Sequence, residues 1–320
     1  MIELLAPVTG EMIEESAKQN AAVEEILAAA PAVHTVEVET TRRHRAQGQG
    51  WTGPVVRSER AVTRSIPGAG GPVELRMVVP ERVEGVYLHL HGGGWALGAA
   101  DQQDLLLTTV ADSLSAAAVS VQYRLSPEHP FPAGPDDCEE AARWLVEHAQ
   151  EEFGTSRLLI GGESAGAHLS ALTLLRLRDR HGIVGAFRGA NLVFGVYDLA
   201  MTPSARRWGA RNLIISTPIM AWFADMFVPG LSDDQRRAPE ISPLYADLSD
   251  MPPALFTVGT LDPLLDDSLF MATRWQAAGN DATLCVYPES VHGFIALPTA
   301  ISLLAIGSML DFARAQLLRD

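Results

Sequence analysis

The sequence predicts an α/β fold in which helices cover both faces of a mostly parallel central sheet. Three observations carry that prediction. From residue 85 onward, short apolar runs alternate with helical stretches, the order that builds parallel strands joined by crossover helices. The segment Gly162-Glu163-Ser164-Ala165-Gly166 joins the apolar run 158–160 to a helix-like stretch at 165–180, so strand passes into helix through a sharp turn. With 320 residues, 47 % of them hydrophobic, the chain can fill one large core with an accessory piece, or two small cores.

Between residues 10 and 30, Met12, Ile13, Ala17, Ala21, Val23, Ile26 and Leu27 recur at helical spacing among glutamates, and Pro31 stops the run. This is an amphipathic helix. Its polar face is acidic where a membrane-surface helix is basic, so it is expected to pack on the protein. The polar, Gly-containing stretch 40–53 reads as a linker. Val62, Arg64 and Ile66, then Val73, Leu75, Met77 and Val79, alternate on either side of Pro67-Gly68-Ala69-Gly70-Gly71, an antiparallel hairpin that opens the sheet. Further strands are expected at 85–90, 116–123, 158–160, 190–197, 254–259 and 283–287. Between residues 199 and 230, Trp, Met, Arg and Pro interrupt the alternation and mark an insertion. No internal repeat or low-complexity tract is present.

Acidic residues outnumber basic ones by 39 to 24, a formal charge of -15 that argues against a broad phosphate-binding surface for nucleic acid. Cys138 and Cys285 stand far apart and in no metal-ligand spacing, which predicts neither a disulfide framework nor a zinc site and fits a reducing cytoplasm. Residues 1–7 carry Glu3 and no basic side chain, and the apolar stretch 301–310 is short and interrupted by Ser and Gly. A soluble, unsecreted protein without stable membrane insertion is expected.

The chemistry centres on Ser164. A strand-to-helix turn presents a serine oxygen clear of its own backbone, and Gly162, Ala165, Gly166 and Ala167 are small enough for the chain to double back. A serine hydroxyl needs a base, and His292, in the loop after the last expected strand, is the best placed of nine histidines. The base needs a carboxylate to fix its tautomer, and Asp262 lies just beyond the strand 254–259, at the same sheet edge as Ser164. Asp266 and Asp267 compete locally, but are expected to complement the dipole at the start of the following helix. A metal site built from the three aspartates lacks an accompanying histidine or calcium-loop glycine pattern. His91-Gly92-Gly93-Gly94-Trp95 follows a strand and offers backbone N–H groups that a substrate oxygen can approach, with the Ala165 amide as a further donor. A phosphate-binding loop is excluded by the absence of a following Lys-Ser or Lys-Thr pair. His91 is expected to tie the turn and His89 to be a satisfied core histidine, while His129 sits in a proline-rich wall.

HGGGW at 91–95, YRLSPEHPFPAGPDD at 123–137, GESAG at 162–166, DPLLDD at 262–267 and HGF at 292–294 occur in an order that resembles the hormone-sensitive lipase family of bacterial esterases. The resemblance covers most of the chain. It implies an α/β-hydrolase core with a mostly helical cap, divided as 1–45 (N-terminal cap), 46–198 (core), 199–230 (cap insertion) and 231–320 (core). It implies Ser164 as nucleophile, Asp262 as orienting acid, His292 as base, and Gly93, Gly94 and Ala165 as oxyanion donors. Glu163 stands where the family elbow more often carries Asp or Thr. Trp95, Trp208, Trp222, Phe223, Met226 and Phe227 are candidates either for lining a substrate pocket or for cap core. The implied activity is hydrolysis of small carboxylic esters of short or medium acyl chain, with no metal or cofactor. The same machinery would open a lactone or remove an acetyl group, and a non-catalytic small-molecule receptor on this scaffold is the rival from another class. Homodimerisation is implied by analogy alone.

Overall fold

A computed structural model describes residues 8–49 and 53–319 of the chain. The reading of residues 1–7 and the stretch 50–52 of the expected linker lie outside the described residues. The described strands are β1 (Val62–Ile66), β2 (Val73–Val78), β3 (Gly85–Leu90), β4 (Ala116–Gln122), β5 (Leu158–Glu163), β6 (Phe187–Val193), β7 (Ala254–Leu261) and β8 (Ala282–Val291). They form one sheet in the order β1-β2-β4-β3-β5-β6-β7-β8. The β1–β2 and β2–β4 pairs are antiparallel, and every pair from β4 through β8 is parallel. The helices are α1 (Gly10–Ala28), α2 (Val38–Ala46), α3 (Asp104–Leu114), α4 (Ala133–Phe153), α5 (Ala165–His181), α6 (Pro203–Arg207), α7 (Thr217–Phe227), α8 (Asp233–Arg236), α9 (Leu265–Ala277) and α10 (Ala300–Leu318).

Every residue of β3 is buried, as a strand covered on both faces requires. Its alternate side chains enter two separate cores. Tyr87 joins Ala118 and Leu159 beneath α3 and α10, whereas Leu88 and Leu90 join Val119 and Ile160 beneath α4 and α5. In α10, Ile301, Ala305, Met309, Ala313 and Leu317 recur every four residues as one buried stripe. That helix is long and apolar enough to cross a membrane by length and composition, but here its stripe covers the sheet.

The sixth strand departs from its expected span of 190–197. It begins at Phe187 and ends at Val193, because Phe194 turns to φ 36° and breaks the extended backbone. The expected linker at 40–53 is also corrected, since its first part lies in α2. This helix is anchored by polar contacts: Arg42 donates from Nε to Ala96 O (2.8 Å), from Nη2 to Ser126 O (2.7 Å), and from both Nη atoms to the Glu128 carboxylate. Such a helix leaves no apolar periodicity to read.

The acidic helix α1 packs on the protein. Asn20 Nδ2 donates to Glu289 O, and the Glu15 carboxylate accepts from Ala300 N, each at 2.8 Å. Glu24 receives two hydrogen bonds of 2.8 Å from Arg211, in the segment that connects β6 to β7 and carries α6, α7 and α8.

Candidate active site

Ser164 stands between β5 and α5 with φ 57° and ψ -120°, a strained backbone for a residue with a side chain. The surrounding sheet fixes this conformation. The Ser164 amide donates to Val193 O at 2.9 Å, and a Cβ on Gly162 or Gly166 would stand 2.2 or 1.8 Å from Leu90 O. Only glycine allows both sides of the turn to approach the end of β3 so closely.

Asp262 and His292 follow the ends of β7 and β8, the same edge to which β5 delivers Ser164. His292 Nε2 lies 2.9 Å from Ser164 Oγ, and its Nδ1 lies 2.9 Å from Asp262 Oδ2. Both partners of that second contact are buried. The other carboxylate oxygen, Asp262 Oδ1, accepts from Leu264 N at 2.8 Å, which sets the carboxylate's rotation. A carboxylate only accepts, so it draws a proton onto Nδ1 and leaves Nε2 to receive the serine hydroxyl. The Phe194 ring meets the imidazole edge-on at 4.8 Å.

The neighbouring aspartates do more than complement a helix dipole. Buried Asp267 accepts from Tyr197 N (2.6 Å), Asp198 N (3.0 Å) and Thr202 Oγ1 (2.6 Å), and Asp266 accepts from Ser204 N (2.8 Å). They tie the chain leaving β6 to the start of α9. Burial pushes the Asp267 carboxyl up to about 7, against the opposing pull of its three donors.

The glycine loop after β3 is shaped by left-handed residues, with φ 119° at Gly93 and 58° at Gly94. Gly93 O accepts from Ala96 N and Leu97 N. Among the described residues, no acceptor takes the amides of Gly93, Gly94 or Ala165, and these three flank the serine. His91 lies in the turn: its ring stacks on Tyr123 at 4.2 Å, its Nδ1 donates to Gly92 O at 2.9 Å, and Tyr123 Oη donates to His91 O at 2.7 Å. Burial pushes its pKa down to about 4. His89 is satisfied in the core, with Ser120 Oγ at 3.1 Å and the Glu163 carboxylate at 2.8 Å.

A pocket opens above Ser164. Of the expected pocket residues, Trp95 and Phe223 line it together with Gly94. Trp208, Trp222 and Phe227 do not. Phe227 is stacked behind Trp95 at 4.5 Å, Trp222 leans on Phe223, and Trp208 donates its indole N–H to Arg211 O. Trp95 is fixed in turn by donating to His168 Nδ1 at 3.0 Å, while His168 Nε2 donates to Ile241 O at 2.8 Å. Burial pushes His168 down to about 4. The remaining lining includes Leu199, Met201, Ile215, Met220, Ala224 and Leu264. Met220, Phe223 and Ala224 fall at i, i+3 and i+4 on α7, so one helical face meets the cavity, a signal that ranking aromatic residues by type overlooks.

Residues 87–296 match the family model described as alpha/beta hydrolase fold. A solved hormone-sensitive lipase from a metagenome library superposes with a TM-score of 0.82 at 26 % identity, covering 94 % of this chain and 98 % of that one. The chain is an α/β-hydrolase of the hormone-sensitive lipase family. Among its relatives, carboxylesterase NlhH of Mycobacterium tuberculosis is 38 % identical over 213 residues, 66 % of each chain and so just under two thirds of that protein. Carboxylic ester hydrolase LipN of the same organism is 33 % identical over 270 residues, 82 % of this chain and 71 % of that one.

Proposed function

We propose that the protein is a serine carboxylesterase that hydrolyses carboxylic esters of short to medium acyl chain through an acyl-enzyme. The observation that carries this is the hydrogen-bonded sequence Ser164–His292–Asp262, 2.9 Å at each step, beside amides that no acceptor among the described residues takes. Ser164 Oγ attacks the ester carbonyl carbon as His292 Nε2 takes its proton. The carbonyl oxygen becomes an oxyanion and is held by the N–H groups of Gly93, Gly94 and Ala165, each worth about 3 kcal/mol in such a site. Collapse expels the alcohol, which leaves with the proton from His292. Water, deprotonated by the same imidazole, then attacks the acyl-enzyme and releases the acid.

The cap is the second part of the reading. Residues 199–230, which hold α6 and α7, and the N-terminal helices α1 and α2 form it, tied together by Arg211 and Glu24. The apolar walls from α7 and its approaches, among them Met220, Phe223 and Ala224, suit small acyl groups beside Ser164. A cytoplasmic setting is part of the reading, supported by a sequence with only two, widely separated cysteines, Cys138 and Cys285.

The test is a series of p-nitrophenyl esters from acetate to palmitate, run on wild type and Ser164→Ala. Turnover peaking at or below octanoate, and falling by about 10⁴-fold or more in the variant, is expected. A palmitate optimum rejects the substrate class. Wild-type protein that neither turns over esters nor is labelled at Ser164 by an organophosphate supports a receptor instead.

A further inference from the structure

Glu163 is the last residue of β5 and the immediate neighbour of Ser164, yet its side chain belongs to the other side of the sheet. With Tyr87, His89 and Asn191 it borders a pocket between α3 and α10 that shares no lining residue with the pocket above the serine. From there the carboxylate makes two contacts. Oε1 accepts from Gly92 N at 3.0 Å, and Oε2 accepts from His89 Nε2 at 2.8 Å, with Ser120 Oγ 3.1 Å from His89 Nδ1. The carboxylate thus joins the elbow to the first amide of the glycine loop.

We propose that Glu163 is a positioning residue for the oxyanion loop: by holding the Gly92 amide, it aims the N–H groups of Gly93 and Gly94 at the oxygen that becomes negative. This rests on the acyl-transfer reading above. The far end of the loop is already fixed, because Gly93 O accepts from Ala96 N and Leu97 N, and at the near end Tyr123 holds only the carbonyl side of the His91–Gly92 peptide. At the near end, Glu163 supplies the restraint on the Gly92 N–H. Glycines have the widest backbone freedom of any residue, so three in succession need a restraint at both ends to hold a direction. His89, itself oriented by Ser120, holds the carboxylate's second oxygen, so it cannot swing away without leaving a buried imidazole unpaired. Burial pushes the Glu163 carboxyl up, but His89, the Gly92 amide and His91 together outweigh that and leave it below the usual carboxylate range, ionised and a strong acceptor.

The test compares Glu163→Met, which fills the space without accepting a hydrogen bond, with Glu163→Gln, which can still accept from Gly92. Glu163→Ala is measured in parallel in case the Met variant does not fold. With folding verified by thermal melts, Met or Ala is expected to lower kcat on p-nitrophenyl butyrate about 10- to 100-fold with KM within about threefold, and Gln to restore most of it. Hydrogen–deuterium exchange across residues 91–97 is expected to quicken in Met or Ala and to stay near wild type in Gln. Equal kcat in all variants, or unchanged exchange across that loop, overturns the proposal. If wild type hydrolyses no ester, the esterase reading fails by itself, and the exchange comparison still decides whether Glu163 orders the loop.

Discussion

The ring of Phe223 fills the space that a side chain on Gly94 would need. A Cβ built there would stand 2.3 Å from two ring carbons, and Gly94 already sits at φ 58°. Gly94→Ala therefore meets steric conflict from α7 and backbone strain at once. Because the Gly94 amide is a proposed oxyanion donor, kcat/KM is expected to fall about 100-fold, the scale of one lost donor. Gly94→Ala combined with Phe223→Ala should regain part of the loss, since only the ring conflict is relieved. Steady-state kinetics on a butyrate ester decide this, and a fully active Gly94→Ala variant contradicts the donor assignment.

Phe223 also bounds the cavity beside Ser164. Phe223→Ala lengthens that space, so the ratio of octanoate to acetate hydrolysis is expected to rise about tenfold, in line with about two methylenes gaining burial at about 0.8 kcal/mol each. A ratio that stays constant or drops shows that the acyl chain lies elsewhere.

Two buried histidines link stability to pH. Burial lowers His91 and His168 to about 4 from an ordinary value of 6.5, so the folded state stays unprotonated where the unfolded chain takes up protons. Their stabilisation is whole above pH 6.5 and is lost progressively as pH falls toward 4. His91→Phe keeps a ring against Tyr123 and removes one titrating group. Urea unfolding between pH 7 and pH 4.5 should show a dependence on pH shallower than wild type by about one proton. An identical slope excludes His91 as a contributor.

Asp267 acts with the opposite sign. Its carboxyl is raised to about 7 from 3.8, so it favours the folded state at low pH and loses that advantage as pH rises between those values. Asp267→Asn supplies an oxygen for the Tyr197 and Asp198 amides and an N–H₂ that can donate to Thr202 Oγ1. The variant should therefore gain stability relative to wild type as pH rises from 4 toward 8. Parallel denaturation curves at those two pH values test it, and a difference that is independent of pH rules it out.

The parallel part of the sheet was legible because inner strands such as β3 and β4 are buried on both sides and therefore run mostly apolar, and because turn chemistry at Gly162 and Gly166 is demanding enough to name itself. Ser164, Asp262 and His292 were legible for a related reason. Each follows a strand in the parallel part of the sheet, so chain order alone brings them to one edge. What escaped was held by polar contacts between distant segments. The helix α2 shows no apolar stripe since Arg42 anchors it through carbonyls and Glu128, and Asp267 gave no sign that its partners lie 65 to 70 residues earlier. The pocket was legible only in part, because Trp208, Trp222 and Phe227 are as aromatic as Phe223 and differ from it in where they stand around α7 and its approaches.

Asn20 reaches Glu289 across 269 positions, and Glu15 reaches Ala300 across 285. During synthesis on the ribosome, the first helix therefore emerges long before the strand and helix it docks on have been made. It must wait, solvated by its glutamates, while the central strands assemble. Docking is then a late event that couples synthesis of β8 to the edge of the sheet three residues from His292, so a nascent chain halted before that strand lacks both the imidazole and the seat for α1.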